Sequence, residues 1–221
     1  MLESFRYKVR GHIPLTNWWL FWQNLDKDAN SILDLGCGRG KQMQFINRKK
    51  RYFTVGVDLF EPYLDECRRE GSYDLVVSSD IRQLEWVEDN SYDVVMCLEV
   101  LEHLEKEDGK ILIRNMMRIA RRQVLVQTPV DSFEWEGLHG NPLNKHLYVW
   151  KVEELQEVGF DNIYGMSVKG WGGISGLSRL IPGPLRWFCS TALMMLVGIV
   201  MYHKPEWSGA VLCVKKVANN A

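Results

Sequence analysis

Two carboxylates and two imidazoles are spaced along the chain so that one helical turn and one later loop could bring them together. Glu99, Glu102 and His103 stand at positions i, i+3 and i+4, which share one face of a helical turn, and His146 follows further on. Histidine has an unperturbed pKa of about 6.5, which suits a general base at neutral pH. The same side chains also offer oxygen and nitrogen donors for a divalent metal. The pattern predicts His146, His103 and Glu102 as catalytic residues, with His139 as a further candidate base.

A glycine-rich turn is the second group of residues with chemical potential. In the run I-L-D-L-G-C-G-R-G, residues 32–40, an apolar stretch ends in an acid and then in glycines at alternate positions. Glycine allows positive φ and lets the backbone approach a ligand closely. Dinucleotide-binding turns carry their third glycine one place later, where Lys41 stands. We expect a strand, a tight turn and a helix N-terminus, with cofactor contacts from Asp34, Gly36, Cys37, Gly38 and Gly40.

Acidic residues also follow the next three predicted strands. Asp58 ends the second strand about twenty residues after the glycine turn, where a carboxylate can accept from the hydroxyls of a ribose. Asp80 follows the third strand and Glu99 follows the fourth. Ligands of doubly wound sheets bind at the carboxyl ends of the strands. The predicted cofactor site therefore also includes the neighbours of these acids, Leu59, Ile81, Cys97 and Leu98.

Alternating strand and helix patterns must position these residues. Strands are predicted at 31–35, 53–57, 74–77, 92–98, 123–128, 160–168 and 209–217. Helices are predicted at 14–25, 40–48, 62–70, 107–121 and 151–158. This β-α-β-α repetition is typical of a parallel, doubly wound sheet with right-handed crossovers. We expect one α/β domain over residues 1–221.

Four motifs, in a fixed order over residues 30–130, resemble those of a known family. They are D-L-G-C-G-R-G (34–40), V-G-V-D (55–58), S-S-D-I (78–81) and C-L-E-V-L-E-H-L (97–104). The set resembles the class I S-adenosylmethionine-dependent methyltransferases of the broad type 11 group. The last motif also resembles ubiquinone-pathway O-methyltransferases and small-RNA 3′-end methyltransferases. The resemblance implies S-adenosylmethionine as cofactor and a Rossmann-like, seven-stranded, mostly parallel sheet with helices on both faces and an antiparallel last strand.

The resemblance also implies roles for single residues. In such methyltransferases an acid at the place of Asp80 accepts from the adenine amino group, and the next backbone amide contacts the ring. This role counts against a nicotinamide-dependent dehydrogenase. In the small-RNA enzymes, a metal that coordinates the acceptor hydroxyls is bound by the matching E-x-x-E-H and by a later histidine. That histidine stands four residues before a tryptophan, as His146 does before Trp150 here. A divalent metal is compatible with this pattern, although we favour the interpretation that E-x-x-E-H caps a helix and lines the cofactor pocket.

Composition narrows the partners and the compartment. The formal net charge of -1 and the sequence pI of about 6.5 leave no overall basic field for nucleic acid, so no nucleic-acid partner is expected. Five cysteines form no C-x-x-C pair and no signal peptide is recognisable, which favours a reducing cytoplasmic compartment.

Two apolar segments flank the motif region. Residues 1–28 hold a helix with a tryptophan stripe, and 174–206 form an insertion before the last strand whose run 187–202 lacks charge. That run is short for a membrane span, which needs about 20 residues. We expect 185–202 to contact an apolar acceptor, the inner face of the membrane or a second subunit, and packing on its own sheet is the alternative.

These patterns together predict an S-adenosylmethionine-dependent methyltransferase that O-methylates a small or lipid-linked acceptor. The alternative is a catalytically idle module that binds the cofactor and acts through its apolar surfaces. A nucleotide-dependent dehydrogenase is the third hypothesis.

Overall fold

The computed structural model describes residues 16–131, 141–170 and 180–217. The candidate base His139, the first residues of the N-terminal segment and most of the glycine-rich start of the insertion lie outside these ranges. The helices are α1 (Asn17–Asn24), α2 (Lys41–Ile46), α3 (Glu61–Glu70), α4 (Lys106–Ile119), α5 (Val152–Glu157) and α6 (Gly183–His203). The strands are β1 (Ser31–Leu35), β2 (Phe53–Asp58), β3 (Leu75–Ser78), β4 (Tyr92–Leu98), β5 (Ala120–Pro129), β6 (Asn162–Gly165) and β7 (Ala210–Lys216).

The strands form a single seven-stranded sheet in the order β3-β2-β1-β4-β5-β7-β6. Strand β1 pairs in parallel with β2 and β4, β2 pairs in parallel with β3, and β7 is antiparallel. Helix α6 occupies the long connection between β6 and β7. The Rossmann-like fold predicted from the sequence is confirmed. Within the described ranges, no helix combines the length and the apolar character that a membrane crossing requires.

The described chain divides into two compact units, and the first contains all the predicted site residues that the structure describes. It comprises residues 26–126, 141–148 and 214–217. Strand β1 is buried along its whole length and β4 is buried from Asp93 to Leu98, as expected for parallel strands covered on both faces. Helix α3 ends at Gly71, which adopts a φ of 59° and so stops the helix.

The second unit comprises residues 16–25, 127–131, 149–170 and 180–213. Helix α1 begins at a cap, because the Thr16 hydroxyl accepts from the amide of Trp19 at 3.4 Å. Leu20 and Phe21 are buried in it. Helix α6 packs on β6, where the rings of Tyr164 and Tyr202 stack with centroids 4.7 Å apart.

Several boundaries differ from the sequence prediction, and those of β6 and α6 concern the region of the insertion. Strand β6 is limited to Asn162–Gly165, although the apolar pattern favoured 160–168. Helix α6 begins at Gly183, four residues before the uncharged run, because proline at the second position is compatible with a first helical turn. Helix α6 therefore includes Arg186 as well as the uncharged run.

Candidate functional site

The glycine turn joins β1 to α2 and bends sharply because its glycines adopt positive φ. The values are 77° at Gly36, 51° at Gly38 and 70° at Gly40, a region that other residues enter only at a cost. The amides of Gly36 and Cys37 donate to the carbonyl of Val57 at 2.8 and 2.9 Å. These bonds connect the turn to the end of β2. The positive φ values expected from the sequence are confirmed.

The three glycines serve different purposes. A Cβ at Gly36 would overlap the side chain of Val100, and a Cβ at Gly40 would lie 2.5 Å from the Cβ of Ser72. A Cβ at Gly38 would meet no described atom within 4 Å. The first and third glycines are therefore required by packing, whereas the side of the turn at Gly38 is open to a ligand.

Two thiols lie at the Gly38 carbonyl. The Sγ atoms of Cys67 and Cys37 approach this oxygen at 3.2 and 3.8 Å. A hydrogen bond with Cys67 and burial both raise the pKa of Cys37, so this thiol stays protonated. Cys37, predicted as a cofactor residue, thus supports the turn with its side chain and faces the turn's interior.

Asp58 ends β2 beside the glycine turn, and two backbone amides hold its carboxylate. Oδ2 accepts from the amide of Gly38 and Oδ1 from the amide of Phe60, each at 2.9 Å. A carboxylate oxygen can accept two hydrogen bonds. Each oxygen therefore keeps the capacity to accept from a ligand hydroxyl. The neighbouring Leu59 side chain is exposed.

Asp34 lies within the sheet, and its carboxylate is not at the surface of the turn. Oδ2 accepts from the hydroxyl of Tyr73 at 2.6 Å, and the ring of Tyr73 packs against Gly56. Burial raises the pKa of Asp34 to about 7, the nearby charge of Asp58 adds to the rise, and the bond from Tyr73 opposes it. The structure therefore places Asp34 where it supports the turn from inside the sheet.

Asp80 follows β3, and its carboxylate is engaged by Arg82. The guanidinium donates from Nε at 3.0 Å and from Nη2 at 2.6 Å, and the Arg82 amide adds a third bond at 2.9 Å. These bonds lower the pKa of Asp80. Ile81 is half-buried beside it. Sequence reasoning missed Arg82, because no periodicity marks a partner two residues away in a loop.

The end of β4 contributes buried side chains followed by an exposed acid. Cys97 and Leu98 are buried, and burial raises the pKa of Cys97 well above its usual value. A contact from Cys97 to a ligand at this edge would therefore come from its backbone. Glu99 is exposed and has a φ of 59°, which is unusual for a residue with a side chain.

Glu102, His103 and His146 come together in the same unit. One donor atom from each lies within 4.8 Å of the other two, and the imidazole centroids are 5.0 Å apart. Glu102 is buried within the short 3-10 turn Leu101–His103. Glu99 does not belong to this cluster, so the predicted helical face shared by the two glutamates and His103 is wrong. The reason is that the helical turn begins only at Leu101, after the unusual backbone at Glu99.

The structure defines which nitrogen of His103 carries the proton. Nδ1 lies 3.0 Å from the carbonyl oxygen of Lys145. A carbonyl only accepts, so Nδ1 donates and Nε2 of the neutral ring keeps its lone pair. Burial lowers the pKa of His103, and the bond to the carbonyl only partly opposes this shift. Nε2 can therefore take a proton or bind a metal at neutral pH.

The segment 141–148, which carries the second imidazole, is held not only through the Lys145 carbonyl but also by contacts with Glu102 and Tyr63. The amide of Leu147 donates to the Glu102 carbonyl at 2.8 Å. Nearer its start, Nδ2 of Asn144 donates to the hydroxyl of Tyr63 at 3.3 Å. Since Tyr63 belongs to α3 and Glu102 follows β4, the segment contacts both the helix after β2 and the loop after β4. Sequence reasoning missed both anchors, because they join loops that are far apart along the chain.

The cluster fits a divalent metal as a three-ligand site. It offers one carboxylate and two imidazoles, and the other nitrogen of His103 donates to a carbonyl, as is usual for histidines that bind metal. Among the described residues, no further histidine, cysteine or acid belongs to the group. A site with three protein ligands keeps coordination positions open for a substrate oxygen.

Comparison with known proteins decides the family. The Methyltransf_11 family, described as a methyltransferase domain, matches residues 33–126. This match begins in β1 and ends in β5, and it contains the glycine turn, Asp58, Asp80 and the E-x-x-E-H motif. Residues 33–126 are a class I S-adenosylmethionine-dependent methyltransferase domain. The methyl donor of this class is S-adenosylmethionine.

Curated relatives match this chain over part of their length. A ubiquinone biosynthesis O-methyltransferase of Neisseria meningitidis serogroup C is 30% identical over 138 residues, which cover 50% of this chain and 58% of that protein. A small RNA 2'-O-methyltransferase of Tetrahymena thermophila is 26% identical over 126 residues, which cover 48% of this chain and 30% of that protein. The chain spans less than two thirds of either relative.

A solved structure shares this fold over nearly the full length of both chains. It is the methyltransferase in a complex with the Trm112 methyltransferase activator of Haloferax volcanii. The TM-score is 0.62 at 16% identity, and the alignment covers 100% of this chain and 96% of that chain. At this identity the comparison concerns the fold.

Proposed function

We propose that this methyltransferase transfers the methyl group of S-adenosylmethionine to a hydroxyl of a small or lipid-linked acceptor. The observation that carries the proposal is the cluster of Glu102, His103 and His146, in which the neutral His103 presents Nε2 as a proton acceptor. An amine acceptor has less need of such a base than a hydroxyl. The names of both curated relatives also describe transfer to oxygen.

In this proposal the cofactor binds along the edge formed by the glycine turn and the ends of β2, β3 and β4. Asp58 accepts from the ribose hydroxyls, because both of its oxygens are fixed beside the turn and retain acceptor capacity. Asp80 accepts from the adenine amino group, and the amide of Ile81 contacts the ring. The other contributors are Asp34 from inside the sheet, Gly36, Cys37, Gly38 and Gly40 in the turn, and Leu59, Cys97, Leu98 and Glu99 beside it.

The proposed reaction is an in-line displacement at the methyl carbon. The acceptor oxygen bonds to the methyl group while the carbon–sulfur bond breaks, and the sulfonium becomes a neutral thioether. The hydroxyl proton moves to Nε2 of His103 or to His146. Since the electrophile already carries the charge, the protein contributes mainly alignment and removal of this proton.

The test follows the methyl group from S-adenosylmethionine labelled with tritium in its methyl group. The protein is incubated with the labelled donor and, separately, with aqueous and lipid extracts of cells. We expect label in a product whose fragmentation shows a methyl ether. Label on nitrogen or carbon would contradict the proposal. Cofactor binding by calorimetry without transfer to either extract would favour the idle binding module.

A second candidate adds a divalent metal held by the same three side chains. Its support is the close approach of their donor atoms together with the orientation of His103 by Lys145. When bound, the metal would polarise the acceptor hydroxyl and lower its pKa. Dialysis against a chelator should then reduce both transfer and acceptor affinity, and added Mg²⁺ or Mn²⁺ should restore them. Unchanged transfer and affinity after dialysis would exclude the metal and leave the base alone.

A further inference from the structure

The longest helix, α6, exposes large apolar side chains to solvent. Among its described side chains, six such residues are between 42% and 78% exposed. They are Leu185, Phe188, Met195, Leu196, Ile199 and Val200. A contiguous exposed stripe of this kind marks an interaction site, whereas single exposed apolar residues are common on any protein.

These six residues share one side of the helix. With 3.6 residues per turn, they fall within an arc of about 140°. The other side holds Met201, which is 8% exposed and whose backbone carbonyl packs against Gly165 of β6. The helix is therefore anchored on its own sheet by one face and presents an apolar face outward.

The charges of α6 indicate what covers this face. Residues 183–203 contain no aspartate or glutamate. Arg186 is exposed in the first turns, and His203 and Lys204 are exposed at the carboxyl end. The next turn, Pro205–Trp207, carries an exposed tryptophan at position 207 and an exposed Glu206, whose carboxylate lies 4.0 Å from the Lys204 ammonium. An apolar face with basic residues at both ends and an aromatic residue beside it is typical of helices that lie in the interface of an anionic bilayer.

The same charges disfavour a second copy of the chain on this face. A two-fold interface pairs the same patch on both subunits. Antiparallel helices would bring Arg186 of one copy to His203 and Lys204 of the other, and parallel helices would pair Arg186 with Arg186. Either arrangement brings basic residues together. Residues 183–203 contain no acid, and the nearby carboxylate of Glu206 already lies 4.0 Å from Lys204 of its own chain.

We propose that α6 binds the surface of a lipid bilayer that contains anionic headgroups. The helix lies in the plane of the membrane, with its apolar face reaching about 5–10 Å below the headgroups. Arg186 and Lys204 contact lipid phosphates. This binding does not depend on methyl transfer, so it can be tested without the acceptor.

The test measures co-sedimentation of the full chain with vesicles of phosphatidylcholine containing phosphatidylglycerol. We expect binding that weakens with salt and with pure phosphatidylcholine. The double variant Leu196→Gln/Ile199→Gln should lower the vesicle partition coefficient about tenfold or more, because both side chains lose their apolar contact with lipid. Phe188→Gln, near the other end of the face, should also lower it, and Lys204→Gln should lower it for anionic vesicles alone.

The matched control is Leu75→Gln, which places the same substitution at an exposed leucine of β3. Circular dichroism should show that every variant melts as the parent does. The proposal is overturned if the parent does not bind anionic vesicles, or if the double variant binds as the parent does. It is also overturned if sedimentation without lipid shows a dimer that the double variant converts to a monomer.

Discussion

The chemistry of the His103 imidazole follows from its surroundings. The carbonyl of Lys145 accepts from Nδ1 at 3.0 Å, so the ring is oriented and Nε2 presents its lone pair. Burial lowers the pKa of this ring, which keeps it neutral at physiological pH. A neutral imidazole is the form required both by a base and by a metal ligand. The same geometry therefore serves either version of the proposed mechanism.

His146→Ala tests the acceptor side of the site at the level of one residue. We expect cofactor affinity to be unchanged, because the predicted cofactor residues do not depend on this side chain. Methyl transfer should fall about a hundredfold or more if His146 is the base or a ligand. Calorimetry with S-adenosylmethionine and transfer of label to the active extract measure the two effects. Transfer at the parental rate would remove His146 from the mechanism.

Asp58→Ala tests the cofactor side. In the proposed site, removal of the carboxylate leaves the ribose hydroxyls without an acceptor, and it also leaves the amides of Gly38 and Phe60 without one. We expect the free energy of cofactor binding to weaken by about 1–3 kcal/mol. Asp65→Ala is the control, because Asp65 is an exposed acid in α3 whose partner is Arg68. A parental dissociation constant for the Asp58 variant would show that this residue is not the ribose ligand.

At the scale of elements, the glycines of the turn differ in how closely other residues surround them. Gly36 and Gly40 are closely surrounded, whereas a Cβ at Gly38 would reach open space. Substitution at Gly38 thus adds a methyl group on the open side of the turn, and the main cost to the fold is that of a positive φ. The turn can therefore be probed without destroying the packing around it.

Gly38→Ala and Gly71→Ala form a matched pair for this test. Both glycines have a positive φ, 51° and 59°, and neither has a described atom within 4 Å of an added Cβ. Each substitution should lower the free energy of unfolding by about 1–2 kcal/mol, the cost of the left-handed backbone. Only Gly38→Ala should also weaken binding of S-adenosylmethionine, which calorimetry measures. Equal cofactor affinity in the two variants would show that the cofactor does not approach the turn at Gly38.

At the scale of the whole molecule, the buried Asp34 makes stability depend on pH. Its folded-state pKa is raised from an ordinary value of 3.8 to about 7. Between these values the folded state binds more protons than the unfolded state, so stability falls as pH rises. The penalty is complete above pH 7 and absent below pH 4. Its upper limit is about 4 kcal/mol, since one pKa unit corresponds to about 1.4 kcal/mol.

Asp34→Asn should remove this dependence, because the amide has nearly the same shape and does not titrate. Its oxygen can still accept from the hydroxyl of Tyr73. Relative to the parent, the variant should gain stability steadily from pH 4 to pH 7 and keep a constant advantage above that. Urea unfolding of both proteins across this range measures the difference. A difference that does not change with pH would show that Asp34 has the same pKa folded and unfolded.

The sequence alone determined the order of the elements, the glycine turn and the family. Buried parallel strands are continuous apolar runs, and alternate glycines before a helix indicate a tight turn with positive φ, so both leave a local pattern. The acids at the strand ends could be named in advance because the carboxyl ends of parallel strands lie at one edge of the sheet. Local periodicity therefore suffices for the framework of the site.

The tertiary structure alone decided which side chains meet and what protonation they have. It separated Glu99 from Glu102, gave Asp80 the partner Arg82, and placed Tyr73 on Asp34. It also left one face of α6 exposed, although the sequence allowed that helix to pack in its own core. Such outcomes depend on burial and on contacts between distant parts of the chain. The burial of these single polar groups and their contacts with distant residues have no local pattern, because both arise only when the sheet and its loops have assembled.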